Sequence, residues 1–277
     1  MRDEARPLIM GILNVTPDSF SDGGLYLPPG SAIDHAMEMA EQGADIIDIG
    51  GESTRPGARV VSVQQQRERV LPVVKELRLQ LPADVRISID TRSSEIAREA
   101  LALGADIIND VSAGRADEQM FAVAAQSRAP LILMHMQGSP ETMQDNPGYD
   151  DVVEEVYGFL LARAAAAEAA GVAREQIVID PGIGFGKRRE DNLRLLAHLD
   201  VFADSGYPVL LGTSRKRFMG SICNTCIPGK LEYATVATTA LGVQAGVSMF
   251  RVHDVYANRQ AVDVAWAIRR GALISAA

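Results

Sequence analysis

The sequence predicts a (β/α)8 barrel, the TIM barrel, and three observations predict it. Strand-like and helix-like segments alternate along the whole chain, the connections after strands are long while the returns from helices are short, and no G-x-G-x-x-G follows the first strand. Eight strand–helix units in 277 residues average about 35 residues each, the size of a barrel repeat. A doubly wound open sheet is the competing architecture, and the absent glycine fingerprint weakens it. One domain spanning residues 1–277 is the expected organisation.

The first strand is the apolar run Leu8–Asn14, and Val15–Pro29 follows it without a helical pattern. Helix Ala32–Gln42 leads through Gly43-Ala44 into strand Asp45–Gly50, and a second long loop runs through Gly51–Val61. Helix Val63–Leu81, strand Val85–Asp90, helix Glu95–Leu103 and strand Asp106–Val111 come next. The joints Gly43-Ala44-Asp45-Ile46-Ile47-Asp48 and Gly104-Ala105-Asp106-Ile107-Ile108-Asn109 nearly repeat each other. In each, glycine sits where a left-handed helix cap is wanted, and the strand begins at once. Strand Leu131–His135 precedes the loop Met136–Tyr149 and helix Val152–Ala170, whose alanine-rich end needs only helix propensity to explain it. Strand Ile177–Asp180, helix Asp191–Asp204, strand Val209–Gly212, the loop Thr213–Leu231, strand Met249–His253 and helix Asn258–Arg270 complete the order. Continuous apolar strands suit a parallel sheet buried on both faces. Loops longer than the usual 2–6 residues tend to be functional, and here they follow strands one, two, five and seven, at the C-terminal mouth.

Composition narrows the partners. With 27 Lys and Arg against 36 Asp and Glu the net charge is −9, which argues against a nucleic-acid surface. No apolar stretch of about 18 residues could span a bilayer. The N-terminal Met1–Arg6 contains acidic residues and lacks an apolar signal region, so a cytoplasmic protein is expected. The two cysteines, Cys223 and Cys226, form a C-x-x-C, but no nearby histidine completes a zinc set and they read as loop decoration. His35 and His198 fall in or beside helices, and His135 reads as a satisfied rim histidine.

The strand ends carry the chemistry. Strand one ends in Asn14, two in Asp48 and Glu52, three in Asp90, and four in Asn109 and Asp110. Five ends in His135, six in Asp180, seven in Ser214, Arg215 and Lys216, and eight in Arg251, His253 and Asp254. One such residue is an ordinary rim hydrogen-bonder, but polar ends on all eight strands argue for a site. Acceptors (Asp90, Asn109, Asp180) come from strands three, four and six. Cations (Lys216, Arg251, His253) come from seven and eight, next to Asn14 as the barrel closes, where barrels commonly bind phosphate. A ligand with an amide- or guanidine-like donor edge and a phosphate tail fits that arrangement.

These residues resemble a known family. Met10–Gly24 and Gly50–Gly57 look like the two long loop signatures of dihydropteroate synthases. Ile87–Thr91, Ile108–Val111, Asp180–Gly186, Gly212–Lys216 and Arg251–Asp254 match its shorter motifs in order. The resemblance covers nearly the whole chain. It implies a (β/α)8 barrel that condenses 6-hydroxymethyl-7,8-dihydropterin pyrophosphate with p-aminobenzoate, giving 7,8-dihydropteroate and pyrophosphate in folate biosynthesis. It further implies that Asp90, Asn109, Asp180, Lys216 and Arg251 bind the pterin. Asn14, Thr54, Arg251 and His253 would hold the pyrophosphate, with Asn14 also a Mg2+ ligand. Phe20, Arg55, Pro56, Phe185 and Ser214 would line the p-aminobenzoate pocket, where sulfonamides compete. Asp90, Lys216, Asp22 and Arg55 would carry catalysis, and the family leads one to expect a homodimer.

No Ser–His–Asp or Cys–His constellation is visible, and the substrate amine is already neutral at pH 7. A dissociative displacement is therefore expected, with Mg2+ assisting pyrophosphate departure and loops one and two excluding water. A pterin-binding methyltransferase is the nearest rival, but it has no need of a pyrophosphate pocket. A non-catalytic relative should show damage in the loop signatures, and a phosphosugar isomerase would not explain the acidic row.

Overall fold

The computed structural model describes residues 5–15, 29–52, 61–138, 142–143 and 146–275. Eight strands form one parallel sheet: β1 Leu8–Asn14, β2 Ile46–Gly50, β3 Arg86–Asp90, β4 Ile107–Asp110, β5 Leu131–Met134, β6 Ile177–Asp180, β7 Leu210–Leu211 and β8 Met249–Val252. Their order is β6-β5-β4-β3-β2-β1-β8-β7. A parallel bridge between Ile179 and Val209 joins the two edges, so the sheet closes into the expected TIM barrel.

Helices surround it: α1 Pro29–Glu41, α2 Val63–Gln80, α3 Ser94–Ala102, α4 Met120–Ser127, α5 Val152–Ala169, α6 Arg189–Ala197, α7 Leu199–Ala203, α8 Arg217–Ile222, α9 Glu232–Ala245 and α10 Val255–Ser275. The expected single helix over 191–204 is two, because His198 leaves helical geometry at φ −124 and ψ 35. The break lets Leu199 and Phe202 turn inward and bury. Loop seven is less irregular than its sequence suggests, since α8 lies inside it.

The two near-identical joints do the same work. Gly43 and Gly104 adopt φ +95 and +105, which a side chain would resist. Each following aspartate then staples the preceding strand: Asp45 Oδ2 accepts from Ile9 N at 2.7 Å, and Asp106 Oδ2 accepts from Ile87 N at 2.8 Å. A capping box between Ser62 and Gln65 starts α2, and Asp151 caps α5.

Strand alternation divides the core. Ile9, Leu13, Ile47, Ile49, Ile89 and Phe250 face the helices in the main apolar cluster. Met10, Ile46, Ile107, Ile132, Val178, Leu210 and Met249 form a separate cluster filling the barrel. This inner layer is the floor on which the site stands.

Candidate active site

Two residues along a strand return to the same face, so the second position after each inner-layer residue points into the barrel one step nearer the mouth. That step reaches Asp48 from Ile46, Asn109 from Ile107, Asp180 from Val178 and Arg251 from Met249. On β3 the inner residue is the buried Ser88, and the step reaches Asp90. The parallel register puts Asp90 beside Asn109 and opposite Gly50.

Arg251 binds the acids together. Its Nε donates to Asp48 Oδ2 at 2.6 Å and its Nη2 donates to Asp90 Oδ2 at 2.8 Å. Asn109 Nδ2 donates to the same Asp48 oxygen at 3.0 Å. Asp48 is fully buried, and its Oδ1 accepts from no group among the described residues. Burial opposes the charge of Arg251, but Asp48, Asp90 and Asp180 outweigh it and hold its pKa above the ordinary value. Burial pushes Asp90 up to about 7, helped by Asp48, Glu52 and Asp110 against the pull of Arg251. The expected separation of acceptors from cations is thus incomplete. The long Arg251 side chain crosses the mouth to the acceptor side.

Loop six departs from Asp180, whose Oδ1 accepts from Gly182 N at 2.7 Å. Burial drives Asp180 up to about 6, against the Gly182 bond and the charges of Lys216, Lys187 and Arg251. Gly182 has φ +66, and a Cβ there would lie 1.9 Å from the His135 carbonyl oxygen, so the loop lies flush on the end of β5. Phe185 packs on Val111, Met134, Met136 and Met143, and Lys216 Nζ sits 4.1 Å from its ring centroid.

At the closing strands, Ser214 Oγ lies 2.9 Å from His253 Nδ1 and accepts from His253 N at 3.1 Å. Either atom of the Ser214–His253 side-chain pair can be the donor, depending on the imidazole tautomer. Arg215 makes a two-pronged pair with Asp254, at 2.6 and 3.2 Å.

Asn14 ends β1 opposite Gly50. A Cβ on Gly50 would sit 3.6 Å from both Asn14 Oδ1 and Asp90 Oδ2, so glycine keeps open the gap between two hard oxygen donors. Among the described residues no group of three or more His, Cys, Asp or Glu could hold a metal by itself. The donor set therefore fits Mg2+ completed by substrate and water oxygens, not a protein cage.

A family model for pterin binding enzymes matches residues 10–253. The chain is also 46% identical over 265 residues to the dihydropteroate synthase of a Synechocystis species, covering 96% of this chain and 91% of that one. The chain belongs to the dihydropteroate synthase family. Among solved structures, a Yersinia pestis dihydropteroate synthase in complex with a sulfonamide drug matches with TM-score 0.91 and 41% identity, over 97% of this chain and 96% of that chain. A Xanthomonas albilineans dihydropteroate synthase with 4-aminobenzoic acid matches with TM-score 0.88 and 46% identity, over 95% and 93%. The chain is a dihydropteroate synthase of folate biosynthesis.

Of the synthase residues expected from sequence, the structure joins Arg251 to Asp90, Ser214 to His253, and Lys216 to Phe185. Asn109 joins them through Asp48. Phe20, Asp22, Thr54, Arg55 and Pro56 lie outside the described residues. The base of loop two is described: Glu52 pairs with Arg92 through both oxygens at 2.8 Å and accepts from Val61 N at 3.2 Å. Two residues that the structure ties to this cluster, Asp48 and Lys187, were given no role by the sequence reading. Asp48 was visible as a strand-end acid, and its spacing from Ile46 was the signal that it faces inward. Lys187 carried no signal beyond following the glycine-rich run.

Proposed function

We propose that this synthase joins 6-hydroxymethyl-7,8-dihydropterin pyrophosphate to p-aminobenzoate by a dissociative displacement. The observation that carries the reading is the buried acceptor floor of Asp48, Asp90, Asn109 and Asp180 around the single guanidinium of Arg251. A pterin offers a row of N–H donors on its aminopyrimidinone edge, and buried carboxylates bind such donors strongly because water is excluded. Asp180 and Asn109 accept from that edge, while Lys216 donates to the carbonyl side of the ring. The planar guanidinium of Arg251, bonded to Asp48 and Asp90, serves both the ring face and the pyrophosphate.

Departure of pyrophosphate leaves a cationic pterin methylene, which the charge of Asp90 stabilises as it develops. His253 and Arg251 take the leaving group's charge, a role shared with Thr54. Asn14 would hold Mg2+ together with pyrophosphate oxygens and water, and when bound the ion supplies charge neutralisation for the leaving group. The amine arrives neutral, so no side chain needs to remove a proton before attack. Phe185, Ser214, Phe20, Arg55 and Pro56 orient p-aminobenzoate, while Asp22 and loops one and two keep water from the cation.

A homodimer is supported by the outer surface, where Tyr233 and Leu241 on α9 and Tyr256, Val264 and Ile268 on α10 expose large apolar side chains on adjacent helices. The free, exposed Cys223 and Cys226 fit a reducing cytoplasm.

The test omits the amine. Enzyme, dihydropterin pyrophosphate and Mg2+ without p-aminobenzoate should give a burst of pyrophosphate close to the active-site concentration. If pyrophosphate appears only with the amine, at a single-turnover rate proportional to amine concentration, the displacement is associative and the proposal fails.

A further inference from the structure

Lys187 is a buried lysine that the reaction as drawn does not use. It follows Gly186 at the end of loop six and is only 3% exposed. Its Nζ lies 2.9 Å from His135 Nδ1, 3.1 Å from the Phe185 carbonyl oxygen and 3.4 Å from the His135 carbonyl oxygen. An ammonium has three hydrogens, and these three acceptors match them. His135 must then present a bare Nδ1, and it does so as a neutral ring. Burial, with Lys187 and Arg115 beside it, drives the imidazole down to about 2. Burial also lowers Lys187, to about 7, with Lys216 adding to the fall and Asp180 and Asp191 opposing it.

Other parts of loop six have their own fastenings. Gly182 lies on the His135 backbone, Gly184 N donates to Asn192 Oδ1 at 2.6 Å, and the Gly186 carbonyl accepts from Tyr149 at 2.6 Å. The Phe185 carbonyl is the one held by Lys187. Phe185 is also the residue whose ring faces outward to Lys216. A buried lysine nitrogen therefore grips the backbone of the aromatic residue of loop six that meets Lys216.

We propose that Lys187 is a positioning residue for the second substrate: by tying the Phe185 carbonyl to the end of β5 it fixes the ring against which p-aminobenzoate and Lys216 pack. This rests on the reading of Phe185 as part of the p-aminobenzoate pocket. The three acceptors behind Phe185 occupy the Lys187 amine, so it acts through Phe185 and not on the reacting atoms. Replacement by an apolar chain of similar length would leave three acceptors without a donor, and the loop would relax to satisfy them with water.

The test is a comparison of constants in Lys187→Met, with Lys187→Gln as the milder second variant. The KM for p-aminobenzoate should rise about tenfold, while the pterin Kd stays within about twofold and kcat within about threefold. KM and Kd do not depend on the fraction of protein that is active, so partial misfolding cannot imitate the split. An unchanged KM overturns the proposal. So does an equal weakening of pterin, which would mean that Lys187 acts through the charge of Asp180. Loss of the folded state in both variants assigns Lys187 to stability and overturns it as well. Phe185→Ala separates the two layers of the argument. If it leaves the KM for p-aminobenzoate unchanged, the pocket reading itself is wrong; if it raises KM while the Lys187 variants do not, only the positioning role fails.

Discussion

Replacing Asp48 with asparagine removes the charge to which the pterin floor is tied while keeping the side chain's shape. Asp48 Oδ2 accepts from Arg251 Nε at 2.6 Å and from Asn109 Nδ2 at 3.0 Å, and the carboxylate is fully buried. Hydrogen bonds to charged groups contribute about 1.5–3 kcal/mol, and an amide oxygen can keep one of the two only as a weaker, neutral acceptor. Removing one partner of a buried ion pair costs about 3–5 kcal/mol when the other is left alone. Arg251 is not left alone, because Asp90 still accepts from it at 2.8 Å. The two arguments meet at a loss of about 2–3 kcal/mol in unfolding free energy, read from urea denaturation at pH 7. Binding should suffer separately. Arg251 and Asn109 lose the template that holds them, so pterin affinity measured by calorimetry should fall about 10–100-fold, or about 1.4–2.8 kcal/mol. A variant within about 0.5 kcal/mol of wild type in both measurements would refute the reasoning. Lost stability with unchanged affinity would mean that Asp48 supports the barrel but does not arrange the site.

Asp180 predicts a pH slope. Its carboxyl is held at about 6 in the fold against an ordinary 3.8, so between those values the native chain keeps a proton that the unfolded chain has lost. The stability this gives is complete below about pH 4 and lost as pH rises through about 6, a fall of about 3 kcal/mol at most. Asp180→Asn cannot titrate, so urea denaturation from pH 4 to 7 should show wild type losing ground to the variant over that window; parallel curves would count against the shift. Gly182→Ala puts a Cβ 1.9 Å from the His135 carbonyl oxygen at φ +66, and should lower stability by about 2–4 kcal/mol. Gly148→Ala meets nothing within 4 Å and should change the thermal midpoint little. Equal behaviour of the two alanines would show that loop six does not need its close approach.

The barrel was legible because its signals are local and repeated. Apolar strands at regular spacing, and two Gly-Ala-Asp joints, require no knowledge of what lies across the molecule. The polar strand ends were legible for the same reason, since a period of two carries each one inward from an apolar neighbour. Partnerships were not. Nothing in the chain tells that Arg251 crosses to Asp48, 203 residues away, or that Ser214 shares its hydroxyl with His253. Lys187 was hidden for a related reason. Its burial depends on three glycines at φ +66, +83 and +63 curling loop six back on β5, and sequence shows the glycines but not the direction of the curl. The break at His198 was missed because residues 191–204 keep helix-forming composition throughout.

Six acids at the mouth looked alike in sequence, and their partners now sort them, Asp254 being taken up by Arg215. Asp110 is consumed by its own turn, accepting from Ser112 N, Ser112 Oγ and Gly114 N at 2.6–2.8 Å. Glu52 is consumed by Arg92 and Val61 at the base of loop two. A carboxylate so enclosed has little acceptor capacity left for a ligand, which makes both architectural. Asp180 takes one backbone donor, and Asp90 takes only one prong of a guanidinium that Asp48 shares. Burial lifts these two to about 6 and 7 and raises Asp110 as well, so it is the scarcity of donors that sets Asp90 and Asp180 apart. A buried carboxyl with few donors and a raised pKa is one whose charge becomes favourable when donors arrive. A pterin's N–H edge supplies donors where these acids lack them. On the proposed reading, the cost of leaving Asp90 and Asp180 poorly satisfied is recovered when the pterin binds, which would explain why acids of this kind occur on the floor and the more fully bonded ones at its rim.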